Sequence, residues 1–139
     1  MRFMIIVRAS KDTEAGVMPE DDTLMASMAK FHEDLATAGI LLGAEGLQPS
    51  SKGWRIKYSG EKRTLINGPF AETKELVAGY TLIQVNSREE AIEWTKRYPN
   101  PAVDGKDAEI EVRQLYELED FPSGDTIERF RELDAEHRI

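Results

Sequence analysis

The stretch LINGPFAETKELVAGYTLIQV, residues 65–85, determines how the rest of the chain can be arranged. Asn67-Gly68 predicts a turn because both residues tolerate positive φ, and Pro69 removes a backbone donor where a strand ladder would otherwise continue. Residues 76–85 then have apolar or small side chains on both faces of a period-two pattern. One face contains Leu76, Ala78, Tyr80 and Leu82, and the other contains Val77, Gly79, Ile83 and Val85. We therefore expect a strand that is covered on both sides.

The composition limits the classes of protein to which the chain can belong. A chain of 139 residues fits a single domain that buries about two thirds of its unfolded surface. The net charge of -8 and the pI near 4.8 argue against a nucleic-acid partner, because phosphate binding needs clustered Lys and Arg. The absence of cysteine excludes disulfides and thiolate chemistry and fits a cytoplasmic protein. The apolar run in MRFMIIVR, residues 1–8, is too short for a signal peptide or a membrane span, so we expect no membrane association.

Hydrophobic periodicity along the chain predicts alternating strands and helices. Residues 3–7 are continuously apolar and predict a central strand that is buried on both faces. Leu24, Met28, Phe31 and Leu35 recur at helical spacing after the acidic residues 20–22, and Gly39 ends that helix. The other predicted elements are a loop at 11–19, a strand at 40–47 with a bulge or bend at Gly43 and Gly46, a hairpin formed by 54–58 and 63–66, a helix from Arg88 to Pro99, a strand at 108–116, and a terminal helix with an Asp125-to-Glu128 capping pattern.

The order of these elements is βαββαβ with an inserted β-hairpin and a C-terminal helix, which is a ferredoxin-like α+β plan. The two helices of that plan cover only one face of the antiparallel sheet. The other face would leave Met4 and Ile6 of the first strand uncovered, together with apolar residues of the long strand. A second copy of the same sheet would cover this face, so the sequence predicts a homodimer.

A set of longer motifs within residues 1–116 carries a family resemblance. The motifs are AGIL (38–41), GLQP (46–49), NGPFAETKE (67–75), LVAGYTLIQVNSREEAIEW (76–94), RYP (97–99) and IEVR (110–113). Together they resemble the DGPF-type branch of the YCII-related domain family. The resemblance implies a dimeric α+β barrel made of two ferredoxin-like units. We therefore expect a YCII-related domain at 1–116 and a C-terminal helical extension at 117–139.

The resemblance implies function only in outline. The wider family includes a dehydrochlorinase-type enzyme, and a His and Asp pair has been suggested as a catalytic site for some branches. DGPF-type members are often encoded beside extracytoplasmic-function sigma factors, which connects them with transcription. The chain departs from the family pattern at Asn67, where Asp is expected, and at Gln114, where Arg-Pro is usual. Because Asn cannot exchange a proton near neutral pH, a mechanism that rests on an Asp at this turn is in doubt for this chain.

His32 is the titratable residue with the clearest alternative roles. It lies at the edge of the apolar stripe of the first helix, beside Met25 and Met28. One interpretation is a packed or surface-edge histidine, and the other is a general base in a cleft where the helix meets the sheet. The sequence lacks phosphate-loop, dinucleotide and Gly-x-Ser-x-Gly motifs as well as His pairs at metal spacing, so we expect no cofactor and no metal.

Asn67, Glu72, Lys74 and Arg113 form a second candidate site. In the functional interpretation the turn at Asn67 caps the mouth of the barrel, and Lys74 and Arg113 are cations that meet a small polar or anionic ligand. In the structural interpretation these residues form a solvated turn, Arg113 deters pairing at an edge strand, and Phe70 plugs the core. Trp94 and Tyr98 lie at i and i+4 on a helix, and Met25 and Met28 fill gaps, so all four are expected in the core.

Two functions remain open from the sequence. The first is a small dimeric barrel that binds a small organic molecule in or at the edge of the barrel and acts as a cofactor-free isomerase, lyase or dehydrochlorinase-like enzyme. The second is a non-catalytic accessory or regulatory protein, associated with a sigma factor, that contacts another protein.

Overall fold

The computed structural model describes residues 1–137 and 139. Its regular elements, in chain order, are β1 (Arg2–Arg8), α1 (Lys11–Glu14), α2 (Thr23–Thr37), β2 (Leu41–Gly46), β3 (Trp54–Ser59), β4 (Lys62–Asn67), β5 (Val77–Gln84), α3 (Arg88–Lys96), β6 (Ile110–Gln114) and α4 (Asp125–Ala135). Short 3₁₀ turns at Ser50–Lys52, Thr73–Glu75, Val103–Gly105 and Leu118–Asp120 connect them.

Four strands form one antiparallel sheet in the order β2-β5-β1-β6. Helix α2 connects β1 to β2 and α3 connects β5 to β6, while β3 and β4 form a separate two-stranded hairpin between β2 and β5. This confirms the predicted ferredoxin-like α+β plan with an inserted hairpin. The predicted bulge near Gly43 is also confirmed, because the β2–β5 register shifts between Leu41 and Gly43.

The core lies between one face of the sheet and helices α2 and α3. Its buried residues are Phe3, Ile5, Phe31, Leu35, Ile40, Ile83, Val85 and Ala91, with Trp94 and Tyr98 packed against them. Alternation along β1 and β5 explains this arrangement, because every second residue of each strand points to the helices. The expectation that Trp94 and Tyr98 pack in the core is confirmed, whereas that for Met25 is wrong, because its side chain is 59% exposed.

The opposite face of the sheet is less deeply covered. Met4 pairs with Leu82 and Ile6 pairs with Tyr80 across β1 and β5, so all four side chains share this face. They are half-buried, whereas their neighbours on the helix side are buried. Toward β6 the same face becomes charged, with Glu111 accepting a hydrogen bond from Arg8.

Hairpin β3–β4 projects away from this core. Every residue of both strands is exposed, and the two-residue connection places Gly60 at φ 61°. Its base is held by a small network in which the Glu14 carboxylate accepts hydrogen bonds from the backbone N–H and the hydroxyl of Ser50. The Ser50 hydroxyl oxygen in turn accepts a hydrogen bond from the Phe70 backbone N–H at 3.0 Å. The hairpin is therefore fixed to α1 at its base and exposed along its length.

Three local expectations at turns and loops are wrong. The predicted loop at 11–19 contains helix α1, which Ser10 and Thr13 cap reciprocally. Gly68 does not adopt positive φ; a Cβ there would lie 1.9 Å from the Ser50 carbonyl oxygen, so close approach requires the glycine. Phe70 is not a core plug, because it is half-buried beneath the Arg55 guanidinium at 3.8 Å.

Two expectations near the ends of the chain can also be compared with the structure. Gly124, not Asp125, is the N-cap of α4, and no side chain caps that end. Among the described residues, no helix has the length and apolar character needed to cross a membrane. The cytoplasmic location stays a prediction.

Candidate functional site

A cleft of about 480 Å³ lies between α2 and the sheet, and we call it the helix–sheet cleft. Leu24, Met25, Met28, Ala29 and His32 of α2 form one wall. The other lining residues are Val7, Thr13, Ala44, Glu45, Gly46, Ala78, Gly79, Tyr80, Thr81, Tyr98 and Pro101. Most of these side chains are apolar or small, so a few polar groups determine what the cleft can bind.

Small residues at the edge of the sheet leave room for the helix–sheet cleft. Gly79 of β5 pairs with Gly46 of β2, and a Cβ at Gly79 would lie 3.0 Å from the Glu45 carbonyl oxygen. Ala29 on the α2 wall and Ala44 on the sheet further limit the side-chain volume in the cleft. The glycines that predicted an irregular strand β2 therefore also define one end of a cavity.

His32 makes two hydrogen bonds that define the tautomer of its neutral ring. Its Nδ1 lies 2.7 Å from the Met28 carbonyl oxygen and its Nε2 lies 2.8 Å from the Thr81 hydroxyl oxygen. A carbonyl oxygen can only accept, so Nδ1 must carry a proton. In the neutral ring, Nε2 then has a free lone pair and accepts from the Thr81 hydroxyl. His32 therefore presents a proton acceptor toward the sheet side of the cleft.

Tyr98 extends this chain of hydrogen bonds. Its hydroxyl interacts with Thr81, whose side chain is only 1% exposed. This hydrogen bond favours the charged phenol, so Thr81 is the donor in it, and the single Thr81 proton serves either the Tyr98 oxygen or His32 Nε2 at one time. Burial raises the pKa of the Tyr98 phenol above its ordinary value, and the hydrogen bond with Thr81 offsets part of that rise. Tyr98 therefore stays protonated at neutral pH.

Aromatic packing fixes the orientation of the histidine ring. The ring centroids of His32 and Phe31 lie 5.5 Å apart in an edge-to-face arrangement, and those of His32 and Tyr98 lie 6.2 Å apart. Phe31 also contacts Tyr98 edge-to-face at 5.2 Å. The rings join α2 to the segment after α3, so the imidazole is held by packing as well as by hydrogen bonds. Such an arrangement can hold a proton acceptor at a defined position.

The structure places the predicted residue His32 at the boundary of helix and sheet, where the functional interpretation located it. Its role as a general base stays a prediction. The structural interpretation also has support, because both ring nitrogens have partners within the chain. Thr81 was not singled out from the sequence, although it is the only polar residue on the helix-facing side of β5. A single polar residue on an otherwise apolar strand face is the feature by which the sequence could have indicated Thr81.

The second candidate group lies outside the helix–sheet cleft. Asn67 is exposed at the end of β4 and pairs with Trp54, while Glu72 and Lys74 are exposed at the 3₁₀ turn before β5. Lys74 lines a shallow cleft that also contains Arg8, Ala9, Ser10, Asp107, Ala108 and Glu109. This cleft does not include Asn67, Glu72 or Arg113. A shared ligand site for these four residues stays a prediction.

Arg113 lies on β6, which is an edge strand of the sheet. Its guanidinium is 3.3 Å from the Glu111 carboxylate and its side chain is largely exposed. Glu111 is also bonded to Arg8, and these hydrogen bonds, first that of Arg8, hold the pKa of Glu111 below its ordinary value. The edge position fits the structural interpretation, in which charge deters further strand pairing.

Within residues 1–137 and 139, no group of three His, Cys, Asp or Glu side chains is arranged so that it could hold a metal ion.

Comparison with known proteins identifies the family. An uncharacterised protein of Rhizobium meliloti (strain 1021) is 28% identical over 111 residues, which are 80% of this chain and 90% of that protein. The solved structure of 5-chloro-2-hydroxyhydroquinone dehydrochlorinase (TftG) from Burkholderia phenoliruptrix AC1100, in complex with 2,5-dihydroxybenzoquinone, is similar with a TM-score of 0.42 and 12% identity, over 84% of this chain and 94% of that one. The model of the YCII-related domain matches residues 1–118, while the DGPF-type branch stays a prediction. Since that match spans most of the sequence, the chain belongs to the YCII-related domain family.

Proposed function

We propose that this protein binds a small, largely apolar organic molecule in the helix–sheet cleft, with His32 as the group that accepts a hydrogen bond or a proton from it. The observation that carries the proposal is the position of His32 Nε2, which faces Thr81 2.8 Å away in a cleft whose lining is mostly apolar or small. A volume of about 480 Å³ falls within the size range of small-molecule sites.

The polar groups of the cleft indicate what kind of molecule fits. A ligand hydroxyl can replace the Thr81 hydroxyl as donor to His32 Nε2, and the Thr81 hydroxyl can then turn toward the ligand. Leu24, Met25 and Met28 offer an apolar wall, which suits a planar ring. We therefore propose a hydroxylated or carboxylated aromatic compound as ligand. Isomerisation or elimination is the chemistry that one positioned proton acceptor can serve.

A ligand screen tests the proposal. Substituted phenols and aromatic carboxylates are added one at a time, and the melting temperature is followed at constant protein concentration. A compound that binds the folded protein raises the melting temperature in proportion to the logarithm of its concentration. We expect a stabiliser whose affinity falls by roughly tenfold or more in His32→Ala, because a buried polar contact of the ligand is lost.

Two further variants give this test its controls. His137→Gln changes the only other histidine, which is exposed after α4, and should leave affinity unchanged. His32→Gln keeps hydrogen-bonding capacity but cannot take up a proton at neutral pH. If turnover is found, it should stop in His32→Gln while binding largely persists. Equal affinity in the wild type and in His32→Ala would remove the helix–sheet cleft as the binding site.

We also propose that the protein is a homodimer in which the sheet faces containing Met4, Ile6, Tyr80 and Leu82 meet. These side chains are half-buried in one chain, and a second sheet would bury them fully. Light scattering after size exclusion should return twice the mass of 15.7 kDa at micromolar concentration. Ile6→Lys should shift the protein toward monomer, since it places a charge in the centre of that interface.

The division of the chain into a domain at 1–116 and an extension at 117–139 is likewise a proposal. It draws support from α4, which has no buried residue. The bidentate ion pair between Arg2 and Glu117 joins the extension to β1. The accessory-protein hypothesis remains the alternative, because the exposed hairpin β3–β4 is a surface that another protein would recognise.

A further inference from the structure

Hairpin β3–β4 has an apolar face that no residue in the described part of the chain covers. Trp54, Ile56, Tyr58 and Leu65 share this face through the strand pairing, and Trp54 and Tyr58 are 63% and 64% exposed. An isolated two-stranded hairpin is only marginally stable in water unless a hydrophobic face packs against something. The exposed apolar side chains therefore suit an interface, and packing against a partner would stabilise the hairpin.

The hairpin also differs in charge from the rest of the protein. Residues 52–63 contain five basic residues and one acidic residue, a net charge of +4. Because the whole chain carries -8, the remainder carries -12. Arg63 shares the face of Tyr58, with its guanidinium 4.6 Å from the centre of that ring, while Arg55, Lys57 and Lys62 lie on the opposite face. The surface that complements the hairpin is thus apolar with an acidic surround.

The C-terminal segment, residues 117–135, has this complementary character. It contains seven acidic and two basic residues, a net charge of -5. Helix α4 has no buried residue, and Phe121 and Phe130 are 41% and 45% exposed. Most of this segment lies beyond residue 118, where the match to the YCII-related domain ends. It is an amphipathic acidic helix without a full apolar contact in its own chain.

We propose that hairpin β3–β4 of one chain docks on the C-terminal segment of a second copy of this chain. Within one chain the two elements do not fully cover each other, because Trp54 is 63% exposed and Phe130 is 45% exposed. Two-fold symmetry makes the contact twice, so each hairpin and each α4 gains a partner. The inference rests on the proposed homodimer and adds to it a specific interaction that residues 117–135 make.

Cross-linking between chains tests this contact directly. The protein contains no cysteine, so single cysteines can be introduced without background. Ser59→Cys on the hairpin and Thr126→Cys on α4 are both at exposed positions and leave the aromatic residues in place. The two full-length variants are mixed, allowed to exchange subunits and treated with a short bis-maleimide. A link between positions 59 and 126 then necessarily joins two chains. Glu93→Cys on α3, mixed with Ser59→Cys, is the matched control and should give no product.

Charge reversal measures the contribution of the contact to dimer affinity. Arg63→Glu, on the apolar face of the hairpin, should weaken self-association by roughly tenfold or more, with the larger effect at low salt. Lys96→Glu makes the same charge change at an exposed position outside the hairpin and should leave affinity unchanged. Glu128→Lys with Glu132→Lys in α4 should restore much of the affinity when combined with the hairpin reversal.

The outcomes separate this proposal from the homodimer itself. A dimer that forms the 59–126 link, and that the compensating α4 variant rescues, supports docking of hairpin on helix. A dimer without this link, with affinity unaffected by the hairpin reversal, overturns the docking while the facing sheets stand. A monomer at micromolar concentration overturns both, and so does a hairpin that binds a single-stranded oligonucleotide or another protein while the chain stays monomeric.

Discussion

Replacing Thr81 by Val would test the hydrogen-bond chain of the helix–sheet cleft with little change in shape. The Thr81 hydroxyl lies 2.8 Å from His32 Nε2 and also bonds the Tyr98 hydroxyl. Valine keeps both branches at Cβ but can neither donate nor accept a hydrogen bond. The variant therefore leaves His32 Nε2 and the Tyr98 hydroxyl without their shared partner.

The expected loss of stability follows from the burial of these groups. Leaving one buried polar group unsatisfied costs about 1–3 kcal/mol. His32 and Tyr98 are half-buried at an open cleft, so water can replace part of what Thr81 supplied, and the net loss should be about 1–2 kcal/mol. With an unfolding entropy of about 2.1 cal/mol/K per residue and 139 residues, this corresponds to a melting temperature lower by roughly 3–7 °C.

Two measurements check this prediction. Calorimetry gives the melting temperature at one fixed protein concentration, because dimer formation would make it concentration-dependent. Nitrogen correlation spectra of the imidazoles, of which the chain has only two, report on Nε2 of His32 and should show a changed shift in Thr81→Val. Thr81→Ser keeps the hydroxyl and should keep the His32 spectrum. A Thr81→Val protein that melts within about 1 °C of the wild type, with unchanged His32 shifts, would refute the chain of hydrogen bonds.

Three further predictions concern pH and the base of the hairpin. Burial raises the pKa of Tyr98, so its contribution to stability is present below about pH 10 and lost as pH rises through the folded pKa; Tyr98→Phe should lessen this alkaline decline in urea titrations. The pKa of Glu111 is lowered by Arg8, so its contribution is present above the ordinary glutamate pKa and lost on acidification; Glu111→Gln should lose less stability than the wild type between about pH 5 and pH 3. Gly68→Ala would place a Cβ 1.9 Å from the Ser50 carbonyl oxygen and should cost about 1–3 kcal/mol, with faster amide exchange in the hairpin as the observable.

The fold could be predicted because its signals are periodic and local. Strand β5 is read from residues 76–85 and helix α2 from an apolar stripe that ends at Gly39, which has φ 76° in the structure. Helix α1 was not predicted, because four residues are too few to show the hydrophobic period of a helix. The sequence suggested that glycine is needed at position 68 for positive φ, but the structure shows that it is needed because the Ser50 carbonyl leaves no room for a Cβ. Contacts between segments distant in sequence leave no pattern in either segment alone.

The same limit applies to the candidate site. His32 could be selected because its position at the edge of an apolar helix face is a local property. Its partner Thr81 is 49 residues away, so only the packing of α2 on β5 reveals the hydrogen bond. Tyr98 was predicted correctly as a core residue, yet its hydroxyl has a second role that burial alone does not indicate. The chemistry of the cleft thus depends on side chains that only the tertiary structure brings close together.

Strand β5 connects the two surfaces on which the proposals depend. Thr81 points into the helix–sheet cleft, while its neighbours Tyr80 and Leu82 point to the opposite face, where a second sheet would lie. Because successive residues of one strand cannot move independently, burial of Tyr80 and Leu82 against a partner would also restrict the backbone that positions Thr81. An Ile6→Lys monomer should therefore bind a cleft ligand more weakly than the dimer, although Ile6 itself lies on the other face of the sheet. Equal ligand affinity in monomer and dimer would mean that the strand is rigid without its partner.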